Sequence, residues 1–346
     1  VKLKKVIMVG FASLLTIGIV SGCGSSQVTG SRVGGKEKTK SVELQLESAE
    51  YVLPERFGKN INDKILKVRV NLKNIGDKPF YISKKDFKLY KKDEEMKEYS
   101  SSDDDSLRSD EVDKEKKVSG SLYFDAKDAS SYELVYKKGR QDPDEEEEEK
   151  ITFKIDGKEL AKKAKDLDKP AEALSAYINT TFYDKDAEKL KKLSGEDGQQ
   201  YAGKVKKNFK TISMLGIYYD IDEQQFENYY KNLRKAVQKN TKFEAKAVAV
   251  SADRKTTEVE LKVKPLMISE MHSKVDSEKN RILGENPNIE YFELRKKLFD
   301  YEMSILSETK TSNTEETITI GMKKHEGNQW RISDEYGNIL LNAFIQ

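Results

Sequence analysis

Along the first half of the chain, apolar residues fall on every second position. Val42, Leu44 and Leu46 alternate with Glu43, Gln45 and Glu47, and the stretch "ILKVRVNLKN" sets Leu66, Val68, Val70 and Leu72 against Lys67, Arg69, Asn71 and Lys73. A period of two with one greasy side predicts half-buried strands. "NIGDKPF" then supplies a turn, with Gly76 free to take positive φ and Pro79 unsuited to a central ladder. Further short strands are expected at Phe80–Ile82, Phe87–Tyr90, Leu122–Phe124, Tyr132–Tyr136 and Ile151–Ile155. So many short strands between residues 41 and 156 predict an antiparallel β-sandwich.

After Gly157 the period lengthens. Pro170 suits a helix start, and "AEALSAYINTTF" aligns Leu174, Tyr177, Ile178 and Phe182 on one face. Tyr201, Val205, Phe209 and Ile212 form a second stripe. A third helix is expected from Asp222 to Lys239, with Phe226, Tyr229, Tyr230, Leu233 and Val237 inward. Strands at Phe243–Ser251 and Thr257–Val263, a helix over 287–307, and the closing pair "TITIGMKK" and "QWRIS" across "HEGN" complete the chain. The order predicts an α+β domain over 157–346, with helices packed on a curved antiparallel sheet.

Two segments break the sandwich pattern. "SSSDDDSLRSDEVDKEKK" (100–117) and "KKGRQDPDEEEEEK" (137–150) show no apolar period and are expected to be solvated, mobile loops. The run Asp103-Asp104-Asp105 lacks the alternating ligand spacing, glycine and terminal glutamate of a calcium loop. Residues 24–40, "GSSQVTGSRVGGKEKTK", are small and polar and predict a flexible tether. Coil scaling gives it a reach of roughly 20–25 Å.

Ahead of the tether stand Lys2, Lys4 and Lys5, then the uncharged run Val6–Val20 and the sequence Val20-Ser21-Gly22-Cys23. The run is too short to span a bilayer, which takes about 20 residues. A basic start, a short apolar stretch and small residues describe an export signal. The end of it resembles the lipobox of bacterial lipoproteins. That resemblance implies a signal peptide over 1–22, a diacylglyceryl group on Cys23, and cleavage just before it. Two acyl chains hold a protein stably at a membrane where one is marginal. Cys23 is the only cysteine, so the mature chain would fold without disulfides. Removal of 1–22 takes away three lysines and no acid, turning 63 basic against 61 acidic residues into 60 against 61. No basic excess then points to nucleic acid.

A wider resemblance rests on "LKVRVNLKNIGDKPFYISKKDFKLY" followed by "GSLYFDAKDASSYELVY". The asparagine-glycine turn, the aromatic-lysine strand after it and the Gly-x-Leu-x-Phe strand resemble immunoglobulin-like domains at the front of Gram-positive lipoproteins, called immunoprotective extracellular domains. The second half, with "KPAEALSAYINTTFYDKDAEKL" and "GNQWRISDEYGN", resembles uncharacterised domains that accompany that module. Its layout is also similar in outline to the cone-shaped fold of nuclear transport factor 2. These resemblances imply a protein on the outer face of the cytoplasmic membrane and bring no catalytic residue.

Candidate chemistry is sparse. His272 and His325 are the two histidines, and no ligand spacing joins them, so they read as surface residues and no metal is expected. No nucleophile elbow or phosphate-binding glycine loop is present. Tyr218, Tyr219, Tyr229 and Tyr230 cluster near Phe226; core packing is favoured over a ligand cavity. Trp330 is expected to anchor the last strand, and Lys84-Lys85 and Lys91-Lys92 to lie on ordinary exposed faces. The sequence therefore predicts no enzyme and no cofactor. It predicts a lipid-anchored docking or binding module for an envelope protein or wall component. A small-ligand receptor with a tyrosine-lined pocket in the α+β domain is the alternative.

Overall fold

The computed structural model describes residues 27–55, 64–138, 149–213, 222–251, 254–333 and 338–346. The first half contains β1 (Gln27–Ser31), β2 (Lys36–Lys38), β3 (Val42–Val52), β4 (Ile65–Asn74), β5 (Phe80–Ile82), β6 (Phe87–Lys91), β7 (Glu94–Glu95), β8 (Asp110–Val112), β9 (Lys117–Asp125), β10 (Ser131–Lys137) and β11 (Lys150–Asp156). One sheet has the order β1-β11-β10-β6-β7 and the other β2-β3-β4-β9, with β5 and β8 as a separate pair. Val42, Leu44, Leu46, Val68, Val70 and Leu72 share one core with Leu89, Leu134, Ile151, Phe153 and Ile155. The sandwich expected from the period of two is present.

β3 is longer than its clean alternation. The pairing with β4 shifts between Leu46 and Ser48, so one extra residue is inserted there. Even-numbered residues face the core before this bulge, and Ala49 and Tyr51 face it afterwards. A bulge reverses the phase of the pleat, which ends a strict period of two without ending the strand.

Two expectations are corrected here. Within the expected tether, β1 pairs in parallel with β11, and β2 pairs antiparallel with β3. Edge strands can be held by backbone bonds alone, so a polar stretch can join a sheet without any apolar period. The segment around 100–117 is not a solvated loop. Leu107 and Val112 are buried, Leu107 N–H donates to Ser121 O at 2.9 Å, and Ser121 N–H donates to Asp105 O at 2.7 Å. With Tyr99 N–H donating to Tyr123 O and Asp125 N–H to Lys97 O, this segment covers the outer edge of β9. The approach is close enough that a Cβ on Gly120 would lie 2.4 Å from Leu107 Cα. Two isolated apolar anchors create no period to read. Most of the second acidic loop, 139–148, lies outside the described residues.

The second half contains α1 (Gly157–Lys163), α2 (Lys169–Phe182), α3 (Ala187–Ser194), α4 (Gly198–Ser213), α5 (Glu223–Asn240), β12 (Phe243–Val250), β13 (Thr256–Val263), α6 (Ile268–Glu285), α7 (Tyr291–Leu306), β14 (Glu316–His325), β15 (Gln329–Ile332) and α8 (Ile339–Phe344). Asp156 ends β11 and caps α1 by accepting from Lys158 and Glu159 N–H. Leu160 and Ala164 still pack into the sandwich core, so the physical boundary falls later than the change of period. Pro170 lies in the first turn of α2, as expected. The sheet runs β12-β13-β14-β15. Val259, Leu261, Val263, Ile320 and Met322 share a core with Leu174, Tyr177, Ile178 and Phe182 of α2. Phe344 of α8 stacks on Phe182 with ring centroids 4.7 Å apart. This is the expected α+β arrangement.

Three contacts orient the halves. Leu53, just past β3, belongs to the core of the second half. Val250 N–H donates to Pro54 O at 2.9 Å, and Arg254 Nη2 lies 2.6 Å from Asp103. The α+β domain therefore sits at the end of the sandwich where β3 and β11 finish. Gln27 pairs with Lys150 at the start of β11, which is the opposite end.

Candidate functional site

The most unusual chemistry lies where α5, α6 and α7 meet. In α7, Leu294, Leu298, Glu302 and Leu306 form one i, i+4 row and so share a helix face. Three of the four are apolar, and the row turns inward. Glu302 is 1% exposed. Its carboxyl accepts from Tyr229 Oη of α5 at 3.2 Å, and His272 Nε2 of α6 lies 3.8 Å from the same oxygen. Burial pushes the Glu302 carboxyl up to about 8, because a desolvated carboxylate is far less stable than the neutral acid. Burial also lowers the half-buried His272, against the nearby charge of Asp276. The junction can therefore hold a proton on Glu302 at neutral pH and lose it on mild alkalinisation.

Glu302 went unrecognised in the sequence, although a signal exists: one acid in a row of leucines at helical spacing. His272 was expected at the surface and is instead half-buried; "ISEMHSKVD" places only Ile268, Met271 and Val275 inward from its helix, too sparse a stripe to announce α6. Tyr229 and Tyr230 are core residues, packed with Phe209 and Phe226. Tyr218 and Tyr219 lie outside the described residues.

A second charged cluster joins the two halves. Asp105 accepts from Ser121 Oγ at 2.9 Å and Tyr123 Oη at 2.8 Å, with Lys67 Nζ at 2.8 Å and Arg69 Nη1 at 3.3 Å. Asp103 takes Tyr123 Oη at 2.7 Å and Arg254 Nη2 at 2.6 Å. Burial works to raise Asp105, but the bonds from Lys67, Tyr123 and Ser121 outweigh it and hold the acid at about 2. These carboxylates are already answered by protein cations. Among the described residues no group of three or more His, Cys, Asp or Glu is placed to hold a metal ion.

The other singled-out residues are apart from both clusters. His325 is exposed at the end of β14. Trp330 on β15 is buried in the core of the α+β domain, with Lys324 Nζ 5.9 Å from its ring. Lys85 and Lys92 are exposed, and Lys91 Nζ donates to Asp128 O at 2.8 Å. Cys23 lies outside the described residues.

Comparison with known proteins covers nearly the whole chain. The uncharacterized lipoprotein YcdA of Bacillus subtilis (strain 168) is 26% identical over 349 residues, spanning 97% of each sequence. The crystal structure of ycdA from the same organism superposes with a TM-score of 0.79 at 25% identity, over 90% of this chain and 98% of that one. Such coverage takes in both the sandwich and the α+β domain. A domain of unknown function, DUF4352, matches residues 22–147, which embraces most of the sandwich. Another, DUF5105, matches residues 160–345, more than half of the chain and nearly all of its α+β domain. The chain belongs to the DUF5105 family.

Proposed function

We propose that this chain is a non-enzymatic, lipid-anchored protein of the bacterial cell envelope, whose sandwich is a spacer and whose α+β domain is the docking module. The observation that carries the reading is Cys23 directly after Val20-Ser21-Gly22, behind a basic and then apolar start. Its support is similarity along 97% of the chain to a protein described as a lipoprotein. In this reading Cys23 carries a diacylglyceryl group on the outer face of the cytoplasmic membrane. The partner is an envelope protein or wall component.

The fold gives the reading a geometry. Only four peptide units separate Cys23 from Gln27, a span of at most ~14 Å. The first paired residue therefore stays near the lipid headgroups. β3 has 11 residues, which at ~3.3 Å each makes the sandwich about 35 Å tall. The α+β domain at the far end is thus held away from the bilayer by a folded body rather than a flexible tether. Fractionation of cells carrying Cys23→Ser tests the anchor: the wild-type chain should need detergent to leave the membrane fraction, and the variant should appear in the medium. Detergent-dependent retention of the variant would refute it.

A further inference from the structure

The helical hairpin formed by α6 and α7 is attached to the domain at one end. Its base is clamped: Met267 N–H donates to Lys310 O at 2.9 Å, Ser312 N–H donates to Pro265 O at 2.8 Å, and Leu266 bridges to Thr311. Ile268, Met271 and Leu306, all near that base, belong to the core of the α+β domain. Phe299, Met303 and Ile305 of α7 pack against that core as well, whereas Val275, Ile282 and Leu294 are buried yet lie outside it. Such a hairpin can swing or fray from its base while the remainder stays folded.

Glu302 and His272 sit at the point where the hairpin leaves the core, against Tyr229 of α5. We propose that this junction is a proton-operated latch: neutral Glu302 seals the α6–α7 hairpin against α5, and loss of its proton releases the hairpin. Among the described residues, the ionisable groups facing Glu302 are Tyr229 from α5 and His272 from α6, and Asp276, one turn along α6, acts on His272. None supplies a positive charge at pH 8, since the imidazole is held below its usual range by burial. A carboxylate formed there is unpaired and must reach water. In the closed hairpin the acid titrates at about 8; in the open one it returns to the ordinary range near 4.3. Opening is therefore favoured progressively across that interval and levels off above it. The latch does not depend on whether the chain is lipid-anchored.

Hydrogen exchange on the full chain reads this directly, after correction for the intrinsic pH dependence of amide exchange. The opening constant of α6 and α7 amides should rise on the order of 10²-fold between pH 5 and pH 8 and then level off. Amides of α2 should not follow. In Glu302→Gln that rise should vanish, leaving only the smaller, opposite trend that His272 contributes as it loses its proton. A flat wild-type profile, an equal rise in Glu302→Gln, or hairpin amides that exchange only together with α2 would each overturn the latch. Where Glu302→Gln does not fold, Glu302→Leu replaces it, and the wild-type profile remains decisive.

Discussion

Asn74 offers the sharpest test of how the sandwich is held together. It ends β4, is 0% exposed, and uses its whole side-chain amide. Its Nδ2 donates to Lys78 O at 2.9 Å and to Val112 O at 2.8 Å, while its Oδ1 accepts from Gly76 N–H at 2.9 Å. One side chain thus closes the turn after β4 and ties it to β8, whose own partner is β5. Asn74→Ala strands the Lys78 and Val112 carbonyls in or near the core and leaves Gly76 N–H with only its longer bond to Ser41 O at 3.1 Å. At ~1 kcal/mol or more for each unmade bond the loss should be roughly 3–5 kcal/mol. Asn74→Asp is isosteric but keeps only the bond from Gly76. At pH 7 it would press a carboxylate against two carbonyl oxygens, so it should be the worse variant. The carboxyl would titrate above its ordinary value in the folded chain, so the added loss should shrink as pH falls toward about 4.

The assay can separate the two cores, because the single tryptophan, Trp330, belongs to the α+β domain. Urea unfolding followed by far-UV circular dichroism reports both halves, and tryptophan fluorescence reports the second. With a slope of ~2 kcal/mol per molar urea, a 3 kcal/mol loss moves a midpoint by about 1.5 M. The dichroism transition assigned to strands should shift by that amount in Asn74→Ala, ahead of the fluorescence transition. A shift worth less than ~0.5 kcal/mol would refute the reasoning, since a residue so placed cannot be dispensable if its three bonds matter.

Two other substitutions probe separate features. Gly120→Ala would set a methyl group against Leu107 Cα and N at 2.4 and 2.8 Å; it should cost ~1–3 kcal/mol and speed amide exchange at Leu107 and Ser121 as the edge cover lifts from β9. Glu149 accepts from Thr39 and from both the backbone and side chain of Ser41, with Lys138 Nζ at 3.6 Å. Although burial opposes it, these bonds hold its carboxyl below the usual range, so its contribution is present above the unfolded value and lost as pH falls through the folded one. Glu149→Gln should therefore be less stable near neutrality and show a shallower loss between about pH 5 and pH 3 in thermal unfolding.

What could be read from the sequence was whatever the core demanded of one continuous element. Val68, Val70 and Leu72, or Phe226, Tyr229, Tyr230 and Leu233, announce a strand and a helix because burial repeats at the pitch of the backbone. β1 and β2 were hidden because sheet edges need only backbone groups. The covering segment over β9 was hidden because Leu107 and Val112 each fill a single site. Asp103 and Asp105 looked like a solvated acidic run because their cations, Lys67, Arg69 and Arg254, come from distant parts of the chain. The Glu302 junction combines both difficulties: its three members lie on three helices, and its acid occupies a position whose neighbours in the row are leucines.

The parallel pairing of β1 with β11 also decides how the molecule bears force. Gln27, Val28, Thr29 and Ser31 lie opposite Lys150, Ile151, Thr152 and Phe153, and the two strands run the same way. If the chain is anchored at Cys23 as proposed, a pull arriving at the start of β1 and an opposing pull at the end of β11 from the α+β domain would draw the strands past one another. Their bonds, interrupted only by the register shift between Thr29 and Ser31, are then strained together in shear, instead of being peeled apart one at a time. Under tension the rate of rupture governs survival, so this strand pair makes the entry of the chain into the sandwich a mechanical clamp. A partner tugging on the far domain would load the whole ladder at once.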